Sequence, residues 1–294
     1  MDAPQPPAPY GGYTDEAEEP ARPFTPLKRN LDKSLHAATW TGRAMYIFRH
    51  FQGCLIAGSA ISFLLLLCEV LMIAPEAFAA IELSMARVTG VHAKPRPKCR
   101  LKGPRAPSVS VLVTACGEDT DIVKDTFTAA AIQSYPQGCH QVFVLDDGKS
   151  SDLEQAVGDF NERQGRSLGL NPVVYIARMK ERGAPHHYKS GNLRHGIAAS
   201  SLHGRSEFFA ALDADMIVEH DWLSRIVPHI LNDAGVALVS PSQLLYNVPK
   251  DDALAQQTNV FQGLTEPLRD RHGSSPCSGS GYIMRREALN SIGG

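Results

Sequence analysis

From Pro107 onward, short apolar runs alternate with longer stretches of helical character, and few architectures accommodate that order. Residues 108–114 (SVSVLVT), 141–145 (QVFVL), 172–177 (PVVYIA), 207–212 (EFFAAL) and 236–240 (VALVS) read as strands. Between them, 121–134, 151–163, 190–201 and 220–231 read as helices. Such alternation predicts an α/β fold, a mostly parallel sheet covered by helices, with ligands at the carboxyl ends of the strands. The loops after Thr114, Leu145 and Leu212 then share one edge.

Those loops read TACGED (114–119), DDGKS (146–150) and DADM (213–216), so the shared edge collects acidic side chains. Gathered acids repel one another unless a cation or hydrogen-bond donors offset them, which points to a ligand. The run 208–212 ends in Asp213 and Asp215, separated by one alanine. In an extended chain residues two apart project to one side, so both could approach one hard, oxygen-preferring cation. An Asp-rich turn capping the next helix is the competing reading. The segment HHYKSGN (186–192) sits just before a predicted helix. Its lysine, glycine and asparagine could offer a point charge and backbone donors to a phosphate, although Ser-Gly-Asn is also ordinary cap chemistry. His186 and His187 are adjacent, diverge in direction and read as a loop feature rather than metal ligands. Trp222 and Phe261 could stack on a ligand ring, with buried packing the default.

Upstream, residues 1–35 are Pro-rich and acidic and predict a disordered tail without the pattern of a signal peptide. Residues 54–73 (CLIAGSAISFLLLLCEVLMI) carry one charge, Glu69, and match the length of a bilayer-crossing helix. An acid near mid-membrane costs on the order of 3 kcal/mol, so Glu69 should reach the interface or a partner helix. Residues 44–92 as a whole predict a transmembrane or interfacial helical segment on the membrane lipid. Basic residues are denser after it than before, which places the C-terminal part in the cytoplasm. The Pro- and Lys-rich run 94–107 reads as a linker. With 29 Lys and Arg against 31 Asp and Glu, no basic footprint for nucleic acid exists. The six cysteines form no CxxC pair, which removes a zinc ribbon and a disulfide framework.

Together, VSVLVTA, VFVLDDG, YKSGNLRHG, FFAALDADM and CSGSGYIMRREALNSIGG, in this order and spacing, resemble glycosyltransferase family 2, and within it the cellulose synthase-like branch. The resemblance covers 107–294 and implies a GT-A, Rossmann-like domain. It also implies an inverting, metal-dependent transfer from a UDP-sugar, with UDP-glucose the first choice, to a glycan acceptor during membrane β-glucan synthesis. By the same resemblance Thr114, Glu118, Asp146, Asp147, Lys189 and Asp213 would hold the UDP-sugar. Asp213 and Asp215 would hold Mg2+ or Mn2+, and Gly279, Ser280 and Gly281 would line the acceptor site. This chain has Ala115-Cys116-Gly117-Glu118 where the family usually has a Tyr-Asn-Glu-like stretch. The family's general base belongs to a Thr-Glu-Asp-like motif expected after Gly294, so this chain is expected to be an inactive fragment of a synthase, which could form a homo-oligomer or a synthase complex. A chitin- or hyaluronan-type or non-processive transferase, and a non-catalytic binder of UDP-sugar or partners, are the alternatives.

Overall fold

The computed structural model describes residues 13–15, 63–68, 70–71, 78, 81, 98–180, 183, 185–243, 266–271 and 277–293. The chain divides into two compact units, one comprising 1–17, 97–241 and 277–294, the other 18–96 and 242–276.

In the first unit, β1 (Tyr13–Asp15) and β2 (Cys99–Leu101) form an antiparallel ribbon. The three residues of β1 lie within 1–35, the stretch expected to be a disordered tail. A strand added to another strand's edge gains backbone hydrogen bonds without needing apolar side chains of its own. The rest of 1–35 lies outside the described residues.

The main sheet has six strands: β3 (Val109–Ala115), β4 (His140–Asp146), β5 (Val174–Ala177), β6 (Phe208–Asp213), β7 (Leu238–Val239) and β8 (Tyr282–Arg285). Their order is β5-β4-β3-β6-β8-β7. The first four run parallel, whereas β8 is antiparallel to both β6 and β7. The expected mostly parallel sheet is present, with one departure. The strand expected at 236–240 shortens to two residues, and it pairs with β8 because β8 is inserted between it and β6. The strand order reverses at β3, which makes the β3/β6 boundary the switch point where α/β sheets open a crevice.

Helices α1 (Thr120–Ala131), α2 (Ser151–Phe160), α3 (Tyr188–Ser200), α4 (Trp222–Leu231), α5 (Glu266–Arg271) and α6 (Arg286–Ser291) follow in chain order. Strand side chains alternate between the sheet faces, and here both faces are covered. Val109, Val111, Val113, Val142, Val144, Phe208, Ala210 and Leu212 pack with Phe127 of α1, Val157 of α2 and Ile226 of α4. Leu112, Phe143, Leu145, Phe209 and Ala211 pack on the opposite face with Leu193 and Ile197 of α3. Each Val, Leu, Ile or Phe among them contributes roughly 1.5–3 kcal/mol when fully buried, which explains why these strands read as near-continuous apolar runs. Trp222 belongs to this core, so it packs rather than presenting a ring to a ligand.

In the second unit the described residues are α5, residues 242–243 and a few helical positions at 63–68, 70–71, 78 and 81. Most of the expected span over 54–73, and Phe261, lie outside the described residues. Among the described residues no helix is long and apolar enough to cross a membrane.

Candidate functional site

Strand parity and register decide what reaches the switch point. Thr114 is paired with Asp213 across β3 and β6, and Ala115 with Asp146 across β3 and β4. Thr114 and Asp213 share parity with Leu112 and Ala211, so their side chains leave the sheet on the α3 side. Asp146 shares parity with Val142 and Val144 and leaves on the α2 side.

The consequence for Asp146 is a scaffolding position. It is buried to 1% exposure. Its Oδ1 accepts from the Gly148 N–H at 2.6 Å, and its Oδ2 accepts from the Ser150 N–H at 2.6 Å and the Tyr175 hydroxyl at 2.9 Å. Burial, then the bond to Asp146, pushes the Tyr175 phenol well up, so it stays a donor. Ser150 in turn caps α2 through the Leu153 N–H. Asp146 thereby shapes the DDG loop and leaves its neighbour to face the edge.

That neighbour, Asp147, is held by a residue that sequence reasoning missed. Arg178, one residue past β5, grips it with Nε on Oδ1 at 2.5 Å and Nη2 on Oδ2 at 2.7 Å. Lys180 approaches Oδ2 at 3.3 Å and donates to the Asp147 carbonyl at 3.1 Å. The signal lay in the loop after Ala177, which opens on the same edge as the others and reads RMK. Burial would raise the Asp147 carboxyl, but the hydrogen bonds and charge of Arg178 and Lys180 outweigh it and hold it below its ordinary value of 3.8. A depressed folded-state value contributes stability that is complete above the ordinary value and is lost as pH falls through the lower one. Asp147→Asn should therefore flatten the acid limb of the stability curve, which acid titration followed by circular dichroism will measure; an unchanged limb would remove the pair from the acid response.

Across the switch point, Lys189 on the first turn of α3 bonds the Asp213 carboxylate and donates to the Gly279 carbonyl at 2.6 Å. The Asp213 N–H donates to Ser280 Oγ at 2.8 Å, and the Gly281 N–H to the Ala211 carbonyl at 2.8 Å. Because β8 runs antiparallel to β6, its entry segment 279–281 arrives at the very edge where β6 ends. Thr114 Oγ1 donates to the Leu212 carbonyl at 3.2 Å and reaches Asp213 Oδ1 at 3.5 Å. The structure thus brings together Thr114, Lys189, Asp213, Gly279, Ser280 and Gly281.

Glu118 stays within its own loop, where its carboxylate accepts from the Cys116 N–H at 2.5 Å. The loops after β3 and β4 nevertheless touch: the Asp147 N–H donates to the Ala115 carbonyl at 2.8 Å, and a side chain at Gly148 would press on the Gly117 nitrogen at 3.1 Å. His186 and His187 accept through their carbonyls from Arg178 and from Ser190.

Asp215 departs from the extended-chain expectation. The strand ends at Asp213, and the Met216 N–H closes a turn on the Asp213 carbonyl at 3.2 Å. Thr126 of α1 pins that turn by donating to the Ala214 carbonyl at 2.6 Å. Asp215 is exposed at its tip. Among the described residues no three His, Cys, Asp or Glu side chains converge on one point. Two carboxylates at an open edge still suit a hard divalent cation that completes its shell with water and substrate phosphates.

Three comparisons bear on this geometry. The family described as Glycosyl transferase family 2 matches residues 110–293. The cellulose synthase catalytic subunit [UDP-forming] of Pseudomonas fluorescens is 28% identical over 195 residues, 64% of this chain and 24% of that protein. A probable glucomannan 4-beta-mannosyltransferase of Oryza sativa is 30% identical over 181 residues, 60% of this chain and 30% of that protein. The chain thus spans less than a third of the length of these relatives. Among solved structures, a mannosyltransferase from Pyrobaculum calidifontis in complex with GDP-Man and Mn2+ aligns with TM-score 0.51 and 19% identity, covering 76% of this chain and 57% of that one. That likeness supports the GT-A-like α/β fold.

Proposed function

Because the chain belongs to glycosyl transferase family 2, we propose that its first unit binds the donor of a sugar transfer, a UDP-sugar, and that the sugar is glucose destined for a β-glucan. The observation that carries this is the meeting of Lys189, Asp213 and the 279–281 segment at the carboxyl edge of the sheet. The cellulose synthase relatives support glucose and the uridine nucleotide as the first choice. The loops after β3 and β4, with Thr114, Glu118 and Asp147, form the wall for the nucleoside, and Asp146 keeps the second of these loops in shape. Lys189 turns from Asp213 towards the diphosphate. Gly279, Ser280 and Gly281 lie on the opposite side, where an acceptor sugar would approach.

Asp213 and Asp215 would hold Mg2+ or Mn2+, which supplies charge neutralisation for a leaving nucleoside diphosphate. The Lys189 ammonium adds a second positive charge on the same group, and the buried Asp147–Arg178 pair fixes the wall against which the nucleoside rests. Inversion at the anomeric carbon would follow from attack by an acceptor hydroxyl on the face away from the departing nucleoside diphosphate, with the hydroxyl proton passing to a general base. Membrane attachment through 54–73 belongs to the same reading. Its support is a helical stretch whose Leu64, Leu65 and Leu67 are more than half exposed, at 60%, 59% and 54%.

Calorimetry on the 294-residue chain tests the core of the proposal. UDP should bind in Mn2+, weaken at least about tenfold on chelation, and outcompete GDP. Tighter binding of GDP would remove the uridine assignment, and binding of neither nucleotide would remove the transfer reading.

A further inference from the structure

One buried guanidinium joins two loops of the candidate site. Beyond its paired bonds to Asp147, Arg178 donates from Nη1 to the His186 carbonyl at 2.7 Å and from Nη2 to the Tyr188 carbonyl at 3.1 Å. Its side chain is 9% exposed. It therefore ties the DDG loop to the 186–188 segment that leads into Lys189.

The backbone it holds is unusual. His187 and Tyr188 both lie in the left-handed region, at φ 54° and 43°, where side-chain-bearing residues seldom sit and two in succession are rarer still. Such a conformation persists only when its surroundings over-determine it. Within the segment the Tyr188 N–H reaches His186 Nδ1 at 3.2 Å, the His186 and Tyr188 rings meet edge-on at 4.5 Å, and the Ser190 hydroxyl and Gly191 N–H donate to the His187 carbonyl at 2.7 and 3.0 Å. Arg178 is what ties the two flanking carbonyls, those of His186 and Tyr188, to another loop. Space for the guanidinium is left by Gly191, where a Cβ would stand 2.5 Å from Arg178 Nη1 and 2.0 Å from the His186 oxygen.

We infer that Arg178 is the positioning residue for Lys189: by clamping the His186 and Tyr188 carbonyls against Asp147, it sets the backbone kink that aims the lysine ammonium across the switch point. Arginine suits this task because its planar fork bonds a carboxylate in two places and still has donors for two carbonyls. Lysine keeps the charge and lacks the fork. The inference rests on the reading of Lys189 as a diphosphate contact.

The ratio of UDP to UMP affinity, measured by calorimetry with divalent cations chelated, isolates the lysine's contact with the diphosphate from the metal and nucleoside contacts. In the unsubstituted chain UDP should bind about tenfold or more tighter than UMP, the scale of one charge-assisted phosphate contact, and Lys189→Ala should remove most of that preference. Arg178→Lys should bring the ratio to within about twofold, and adding Lys189→Ala on top should change it little, because the lysine is already misplaced. Asp147→Asn, which removes the anchor of Arg178 without touching the 186–188 segment, should shrink the ratio in the same direction and serves where Arg178→Lys does not fold. A UDP-to-UMP ratio that survives both substitutions would overturn the positioning role. Absence of UDP binding in the unsubstituted chain, with Mn2+ present as well as chelated, would instead overturn the donor-site reading and this inference with it.

Discussion

The Asp215→Asn chain binds UDP in Mn2+ on the order of 100-fold more weakly than the unsubstituted chain, and melts at the same temperature. Both halves of that expectation come from where Asp215 sits. It lies exposed at the tip of a turn closed by the Met216 N–H and pinned by Thr126, so the fold does not depend on its charge. Asparagine keeps the shape and loses one anionic oxygen ligand. Removing partners that merely orient metal ligands costs about 10- to 100-fold in affinity, so losing a ligand itself should reach the upper end of that range. Calorimetry with UDP and Mn2+ reads the affinity and thermal unfolding reads the stability. An unchanged affinity would take the cation away from the DAD turn. A large drop in melting temperature would show that the turn needs the carboxylate for folding.

Gly191→Ala has the opposite signature, a loss of stability that carries the site with it. Its added Cβ meets the His186 carbonyl carbon at 3.1 Å, besides its overlap with the oxygen. Backbone and a fully engaged buried guanidinium cannot step aside as a free side-chain end can. An overpacked position of this kind costs about 1–3 kcal/mol, or several degrees in melting temperature for a domain of this size. Gly158 provides the control. It lies within α2 with open space around its Cβ position, so Gly158→Ala should be neutral or stabilise by about 0.5–1 kcal/mol. Equal melting temperatures for the two variants would mean that the close approach of α3 to Arg178 is not built as described.

How much of this was legible beforehand depended on whether burial left a pattern. The strands β3, β4 and β6 lie inside the sheet with both faces covered, and their unbroken apolar runs were readable within a residue or two. By contrast β8 is four residues long and opens directly from a Gly-Ser-Gly run, too short for periodicity to register, so its insertion beside β6 was not foreseen. Motif reasoning placed Lys189, Asp213 and the 279–281 segment near one another, and the coordinates bring them into contact. It did not separate Asp146 from Asp147. Strand parity does, because adjacent residues at a strand's end face opposite sides. Arg178 escaped because a lone arginine after a short strand has no spacing to mark it; only the fold brings Asp147, His186 and Tyr188 around it.

The late arrival of β8 has a bearing on how the protein is made. A nascent chain that has emerged only as far as β7 holds every parallel strand, yet Asp213 lacks the hydroxyl its amide donates to, Lys189 lacks the carbonyl it leans on, and β7 lacks a neighbour. Because domains fold as their sequence leaves the ribosome, the parallel core can form first and wait with one edge open. The 277–293 segment then seals that edge and lays Gly279 and Ser280 against Lys189 and Asp213 in a single move. Closure of the sheet edge around Asp213 and Lys189 is thereby tied to the synthesis of residues 277–293.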